Sequence, residues 1–471
     1  MDARPLDSLT LEDTVSMTDR HPASFRDPAG YVFRHDGMLH RRIESLGAED
    51  YRALMETGLY EELTGEGLLI PHTEVEAPDN AGDAHKVIRP ELVPFISHPY
   101  EWSFGQLKAA ALLTLDIQGR ALARGVTLKD ASAYNVQFLA GRPVFIDTLS
   151  FVSHEDGAPW AAYGQFCRHF LAPLALMAHR DARCGAWLAR HLDGLPLDLV
   201  SPLLPRRTWL SPGLLTHLHL HARSVRRYQD RAPRPGRVSR QALIGVMATL
   251  KSAVSGLKLK RDSSHWTNYY DQTNYSDPAF AAKETVVREV LDRTSPAVVW
   301  DLGANTGVFS RLAAASGAFV VATDSDPLVV DRIWCDIVEV GETRILPLVD
   351  DLTNSSPDLG WNLAERASLV ARGPADLVMA LALVHHLAIG NNVPLDRIAG
   401  VLGRLGRRVL VEFVPKSDSQ VRRLLATRRD IFPDYTEEGF GAAFAVDFEL
   451  EGRWPVAGSE RTLFLYVRRP D

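Results

Sequence analysis

Val298-Val-Trp-Asp-Leu-Gly-Ala-Asn-Thr-Gly-Val-Phe-Ser310 decides the fold of the second half of this chain, because an apolar run breaks at two glycines and then resumes with helical spacing. Shortly after it, Phe319-Val-Val-Ala-Thr-Asp324 supplies another apolar run that ends on an acid. Strand, glycine turn, helix, strand and acid, in that order, describe a nucleoside pocket. Gly303 and Gly307 let backbone approach a ligand where a Cβ would collide, and Asp324 stands where a carboxylate accepts hydrogen bonds from two ribose hydroxyls.

The spacing separates two kinds of nucleoside ligand. A dinucleotide fingerprint requires G-x-G-x-x-G with the pyrophosphate on a helix N-terminus. Here the pattern is Asp301-x-Gly303-x-x-x-Gly307, with Asn305 in place of the middle glycine. An acid at Asp301 repels a pyrophosphate and welcomes a cationic amino-acid group. The expected ligand is therefore S-adenosylmethionine, with Asp301, Gly303, Ala304, Asn305, Gly307 and Asp324 around it.

Downstream, Ile345-Leu-Pro-Leu-Val-Asp-Asp351 reads as a third strand closing on acids. Ala375-Asp-Leu-Val-Met-Ala-Leu-Ala-Leu-Val-His-His-Leu387 reads as a fourth strand turning into a helix, and Arg408-Val-Leu-Val-Glu-Phe-Val414 as a fifth. Phe444-Ala-Val-Asp-Phe-Glu-Leu450 and Arg461-Thr-Leu-Phe-Leu-Tyr-Val467 follow with only a polar loop between them, which predicts a closing antiparallel hairpin. On these residues, 262–471 resembles the class I S-adenosylmethionine-dependent methyltransferases, an α/β Rossmann-like sheet with a C-terminal antiparallel hairpin. The resemblance implies that Gly303, Ala304 and Gly307 line the methionine and sulfonium, that Asp324 holds the ribose, and that Asp351 reaches the adenine amine. It also makes Trp266-Thr-Asn-Tyr-Tyr-Asp-Gln-Thr-Asn-Tyr275 an aromatic lid. Asp350 and Asp351 are neighbours, so only one points inward. His385 and His386 are the candidate catalytic bases, with Glu412 at another strand end; transfer from a sulfonium needs alignment and exclusion of water, and no metal.

In the first half, Leu128-Lys-Asp-Ala-Ser-Ala-Tyr-Asn-Val-Gln-Phe138 is followed by Val144-Phe-Ile-Asp-Thr-Leu-Ser150. Asp130, Asn135 and Asp147 fall at the intervals at which kinase-type phosphotransferases carry a catalytic aspartate and two metal-binding residues. Upstream, 30–43 reads as a hairpin, 50–63 as a helix, 67–71 and 85–89 as strands, and 103–124 as a long apolar helix. Residues 28–228 thus resemble the protein-kinase-like fold, an α+β domain of two lobes. The resemblance implies Asp130 as catalytic base and Asn135 and Asp147 as magnesium ligands for ATP. The chain departs from that pattern in three places. Gly30 and Gly37 lie too far apart for a phosphate loop; no Val-Ala-Ile-Lys lysine is present, only Arg42 or Lys86 with Glu56 as a helix partner; and Thr148 and Leu149 stand where phenylalanine and glycine are usual. A docking module and an active phosphotransferase both remain open, and all three polar residues also suit ordinary turns.

The organisation that follows is an extension at 1–27, a kinase-like domain at 28–228, a linker and connecting helix at 229–261, and a methyltransferase domain at 262–471. A 262–471 fragment is expected to bind cofactor by itself. Taken with Thr57-Gly-Leu-Tyr60, Leu69-Ile-Pro-His72 and Phe166-Cys-Arg-His-Phe170, the whole chain resembles the bacterial NoeA-like methyltransferases, which implies methylation of a glycan or glycolipid precursor in the cytoplasm. Composition fits this frame. The 471 residues, 46% apolar, are enough for two or three cored domains, and a net charge of -7 gives no strong nucleic-acid signal. Cys167, Cys184 and Cys335 lack metal-ligand spacing and point to a reducing compartment. No leader-like apolar run opens the chain, and 171–178 is too short to span a bilayer, so the expectation is a cytoplasmic protein acting on a small-molecule or glycan acceptor. His217-x-His219-x-His221 lacks a neighbouring carboxylate or cysteine and reads as structural.

Overall fold

Asp36 and Gly37 both take left-handed backbone, with φ of 49° and 75°. This two-residue turn pairs β2 (Gly30–His35) with β3 (Met38–Ile43). In the computed structural model, which describes residues 19–77, 84–228, 236–259 and 277–470, β1 (Asp19–Arg20), β4 (His72–Val75) and β5 (Lys86–Pro90) complete an antiparallel sheet in the order β1-β2-β3-β5-β4. The helix expected at 50–63 is two helices, Ala48–Glu56 and Leu59–Gly65, because Gly58 turns left-handed between them. The strand expected at 67–71 is instead a tie to the segment around Phe145. Leu69 and Ile70 are buried, Ile70 N–H donates to Phe145 O at 2.8 Å and Phe145 N–H to Leu68 O at 2.8 Å, so pairing along the sheet begins only at His72.

Ser103 opens the long helix Phe104–Ala123 through a capping box with Gln106. Two short antiparallel pairs follow, β6 (Val126–Leu128) with β9 (Phe151–Ser153) and β7 (Val136–Leu139) with β8 (Arg142–Phe145). Helical segments continue to Tyr228, and Arg240–Gly256 packs back along Phe104–Ala123. Residues 229–235 and 260–261 of the expected linker lie outside the described residues.

The second half is a seven-stranded sheet. Its parallel members are β10 (Val298–Leu302), β11 (Phe319–Asp324), β12 (Ile345–Val349), β13 (Ala375–Ala380) and β14 (Gly406–Phe413). β15 (Phe448–Pro455) and β16 (Thr462–Arg468) form the reversed hairpin, giving the order β12-β11-β10-β13-β14-β16-β15. Helices cover both faces, so the central strands are mostly apolar, with Asp301 and Glu412 buried near their carboxyl ends. The hairpin begins later than the expected Phe444. That residue ends the helix Glu437–Phe444, where its ring packs on Phe440 at 4.4 Å and Tyr466 at 5.0 Å.

The halves share one apolar core. Trp300 on β10 meets Phe95 edge-on at 5.6 Å, and Trp334 meets Phe138 at 5.1 Å. Gly105 lies against Trp334 so closely that a Cβ there would sit 2.4 Å from the indole, and its N–H donates to Asp331 Oδ1 at 2.6 Å. Gln106 Nε2 donates to Pro347 O at 2.9 Å across the same seam. Below it, Arg372 grips Glu101 through both carboxylate oxygens, and the two side chains are 7% and 1% exposed. A self-sufficient 262–471 fragment is therefore not what this core describes: cutting there would bare Trp300 and Trp334 and strand the Arg372 charge.

Candidate functional site

At the carboxyl ends of β10, β11, β12 and β13 the sheet opens into a cavity of about 310 Å³, the position at which open α/β sheets bind ligands. Its wall includes Asp301, Gly303, Ala304, Asn305 and Asp324, five of the residues picked from the glycine turn. Gly303 holds φ of 72°, and its N–H and that of Ala304 both donate to Thr323 O, at 2.9 and 2.8 Å, which pins the turn to β11. Asp324 braces the other side, accepting from Asn305 N–H and Asp326 N–H at 3.0 Å each. Those two bonds leave further lone pairs on the carboxylate for a ligand. Gly307 is not in the wall. It is the left-handed N-cap of the helix Val308–Ala315, with φ of 76°.

Asp301 is 3% exposed and accepts from Ser310 Oγ at 2.6 Å. Burial pushes its carboxyl up to about 6, against the pull of that hydroxyl and of Lys283. Burial likewise takes Asp324 to about 6, only partly offset by the N–H groups of Asp326 and Asn305. Asp350 and Asp351 both reach the wall but differ in kind. Asp351 is exposed and turns back on Thr353, while Asp350 is 8% exposed, accepts from Ser356 N–H at 2.9 Å, and is also pushed to about 6 by burial.

Of the paired histidines, His386 lines the cavity and His385 lies behind it, ring to ring at 4.1 Å and fully buried. Burial and then Arg461 lower His386 to about 4, so it is neutral at ordinary pH. Lys283 was not legible in advance. It enters from the helix Asp277–Thr294, pairs with Glu412 Oε2 at 2.6 Å and sits 4.6 Å from the Phe309 ring centroid. Glu412 also pairs with Arg461, so it is a strut of the wall. The lid candidate 266–275 lies outside the described residues.

In the first half, Asp130 caps its own turn by accepting from Ser132 N–H at 2.8 Å, Asn135 Nδ2 donates to Ser150 Oγ at 3.1 Å, and Asp147 accepts from Leu149 N–H and Ser150 Oγ. Arg41 Nη1 stands 2.5 Å from Asp147 Oδ1. Burial alone would raise Asp147, but Arg41 and the hydroxyl of Ser150 outweigh it and hold the carboxyl below its ordinary range. Leu149 is fully buried among Ala29, Ile43, Tyr51 and Ile88. Among the described residues no group of three or more His, Cys, Asp or Glu is arranged to hold a metal ion. His217 bonds Tyr163 and Thr249, and His219 bonds Ser201 and Thr208, as structural histidines do. No helix among the described residues is long and apolar enough to cross a membrane.

Five parallel strands closed by a reversed hairpin, with a cavity at their carboxyl ends, are the Rossmann-like architecture of the class I methyltransferases. No family model matches the chain. Over 460 residues it is 37% identical to nodulation protein NoeA of Rhizobium meliloti (strain 1021), across 95% of this chain and 96% of that protein, and it belongs to the NoeA family. Among solved structures, WbdD aligns at 18% identity over 42% of this chain with a TM-score of 0.30; the alignment spans only 42% of WbdD. The N-methyltransferase NodS of Bradyrhizobium japonicum WM9 aligns at 11% over 41% of this chain and 99% of its own, also at 0.30. Magnesium protoporphyrin IX methyltransferase of Synechocystis PCC 6803, solved with bound SAH, aligns at 17% over 43% of this chain and 92% of its own, at 0.30.

Proposed function

We propose that this protein is an S-adenosylmethionine-dependent methyltransferase acting on a small-molecule or glycan acceptor. The observation that carries the reading is the pairing of Asp301 and Asp324 across the glycine turn, one carboxyl for a cationic amino-acid group and one for a ribose diol. The residues present fit that ligand: the left-handed Gly303 keeps backbone bare where the ligand passes, and the 350–353 turn supplies an edge for adenine. When bound, the sulfonium supplies an already activated methyl group. The chain's own residues hold and orient, and the neutral imidazole of His386, in the cavity wall, is placed to hydrogen-bond an acceptor hydroxyl.

The first half serves this reaction as a docking module without phosphotransfer. Arg41 occupies the carboxylate that a metal ion would need, and Leu149 fills the space beneath β2. Titration of the full chain with S-adenosylhomocysteine is expected to give saturable one-to-one binding, and titration with ATP and magnesium no heat beyond dilution. Failure to bind the first ligand sinks the methyltransferase reading; nucleotide binding that disappears in Asp147→Ala overturns the docking one.

Binding should also depend on pH in a defined direction. Asp301 and Asp324 each ionise near about 6 in the free pocket, and both ligand groups favour the ionised carboxylates. Binding at pH 6 therefore releases protons, and affinity falls as pH drops through 6 while staying level above it. Calorimetry in two buffers of different ionisation enthalpy measures this release, and equal heats at pH 6 would refute it.

A further inference from the structure

The seam between the halves gathers side chains from separate parts of the chain whose polar atoms find no partner there. Tyr100 is 6% exposed and His169 is 2% exposed. The Tyr100 and Tyr134 hydroxyls, His169 Nδ1 and Arg366 Nε are buried and have no hydrogen-bond partner among the described residues, while Arg366 Nη1 donates to Glu365 O at 3.3 Å. Each lies close to another of the set. The Arg366 guanidinium lies 4.0 Å from the Tyr134 ring centroid, the Tyr134 and His169 rings are 6.1 Å apart edge-on, and Tyr100 lies within electrostatic reach of both Tyr134 and Arg366.

Tyr100, His169 and Arg366 can all donate. Burial keeps the Tyr100 hydroxyl protonated by raising it far above its ordinary value. Burial, then Arg168 and Arg366, hold His169 down to about 3, so its ring is neutral and carries a single N–H. Two acids at the seam are already engaged, Glu101 by Arg372 and the His98 N–H, and Glu365 by Arg26; Asp193 lies within electrostatic reach of Tyr134, and Asp350, beside Glu101, belongs to the cofactor cavity. Buried donors without an acceptor are costly, and several among neighbouring residues are rarely left so in a folded protein.

We propose that this seam is a binding site for a phosphoryl-class oxyanion, with Arg366 supplying the charge and Tyr100 and His169 the neutral donors. Donors drawn from separate parts of the chain suit a tetrahedral group with three free oxygens better than a planar carboxylate with two. Tyr134 belongs to the 130–135 loop of the first half and Arg366 to the second half, so the bound group is held by both. This site deepens the docking role given to the first half and rests on it: the ligand it holds is a phosphorylated acceptor.

The test is titration of the full chain with inorganic phosphate, followed by calorimetry, with a sugar phosphate and acetate as further probes. Phosphate is expected to bind saturably, at least tenfold more weakly in Arg366→Gln and severalfold more weakly in Tyr100→Phe. Unchanged circular dichroism and S-adenosylhomocysteine affinity show that both variants are folded. A sugar phosphate that binds more tightly than inorganic phosphate supports a phosphorylated acceptor; the reverse order overturns that source. Acetate binding as tightly as phosphate, no saturable phosphate binding, or equal affinity in both variants overturns the site. Because the cofactor is titrated separately, failure here leaves the methyltransferase reading standing, and failure there leaves this one.

Discussion

Asp324→Ala is expected to weaken S-adenosylhomocysteine binding by about a hundredfold. Two hydrogen bonds to a charged carboxylate are at stake, each worth about 1.5–3 kcal/mol when both partners are present. The substitution also frees the N–H groups of Asn305 and Asp326, which Asp324 now holds at 3.0 Å each, so part of the loss comes from a loosened turn. Asp324→Asn separates the two contributions. It keeps one oxygen for the turn and removes the charge, and is expected to lose about tenfold, the worth of about 1.4 kcal/mol. Calorimetric titration of both variants checks this. If Asp324→Ala binds as tightly as the parent, the ribose does not sit on β11.

Glu101→Ala should be the most damaging substitution for stability, at about 3–5 kcal/mol. Glu101 is 1% exposed and Arg372 7%, so removing the acid leaves a guanidinium buried without its partner. Burial alone would raise Glu101, yet Arg372 overrides it and holds the carboxyl below its ordinary value, as expected of a close pair. The pair spans 271 residues of sequence and fastens the end of the second half's 350–373 segment to the start of the first half's long helix. Urea unfolding followed by tryptophan fluorescence is expected to show one transition for the parent and a midpoint well below it for Glu101→Ala. Replacing both partners with apolar residues should recover most of the difference, since the buried charge goes with them. A midpoint within error of the parent's would mean that the seam is not structural.

What could be read from residues alone was local. The glycine turn, the acid at Asp324 and the reversed hairpin each lie within a short run whose spacing has one physical meaning, and each stands where expected, apart from the helix that keeps Phe444. Gly307 shows the limit of that logic: the spacing marked it as a glycine of the turn, but whether it faced ligand or capped a helix depended on where the helix pointed. The contacts that escaped prediction join distant positions. Lys283 reaches Glu412 across 129 residues, and nothing in an amphipathic helix marks one of its lysines as the buried one. Arg41 is another such contact: neighbours on a strand face opposite ways, and spacing alone does not say whether Arg41 or Arg42 meets Asp147.

The contact between Gly105 and Trp334 bears on how such a chain changes over generations. Even a methyl group at position 105 would collide with the indole 2.4 Å away, so neither residue can drift unless the other moves with it. Pieces joined in this way are not interchangeable parts. A second half borrowed from another lineage would meet this first half at an ill-fitting seam, and recombination between relatives should leave the two halves travelling together.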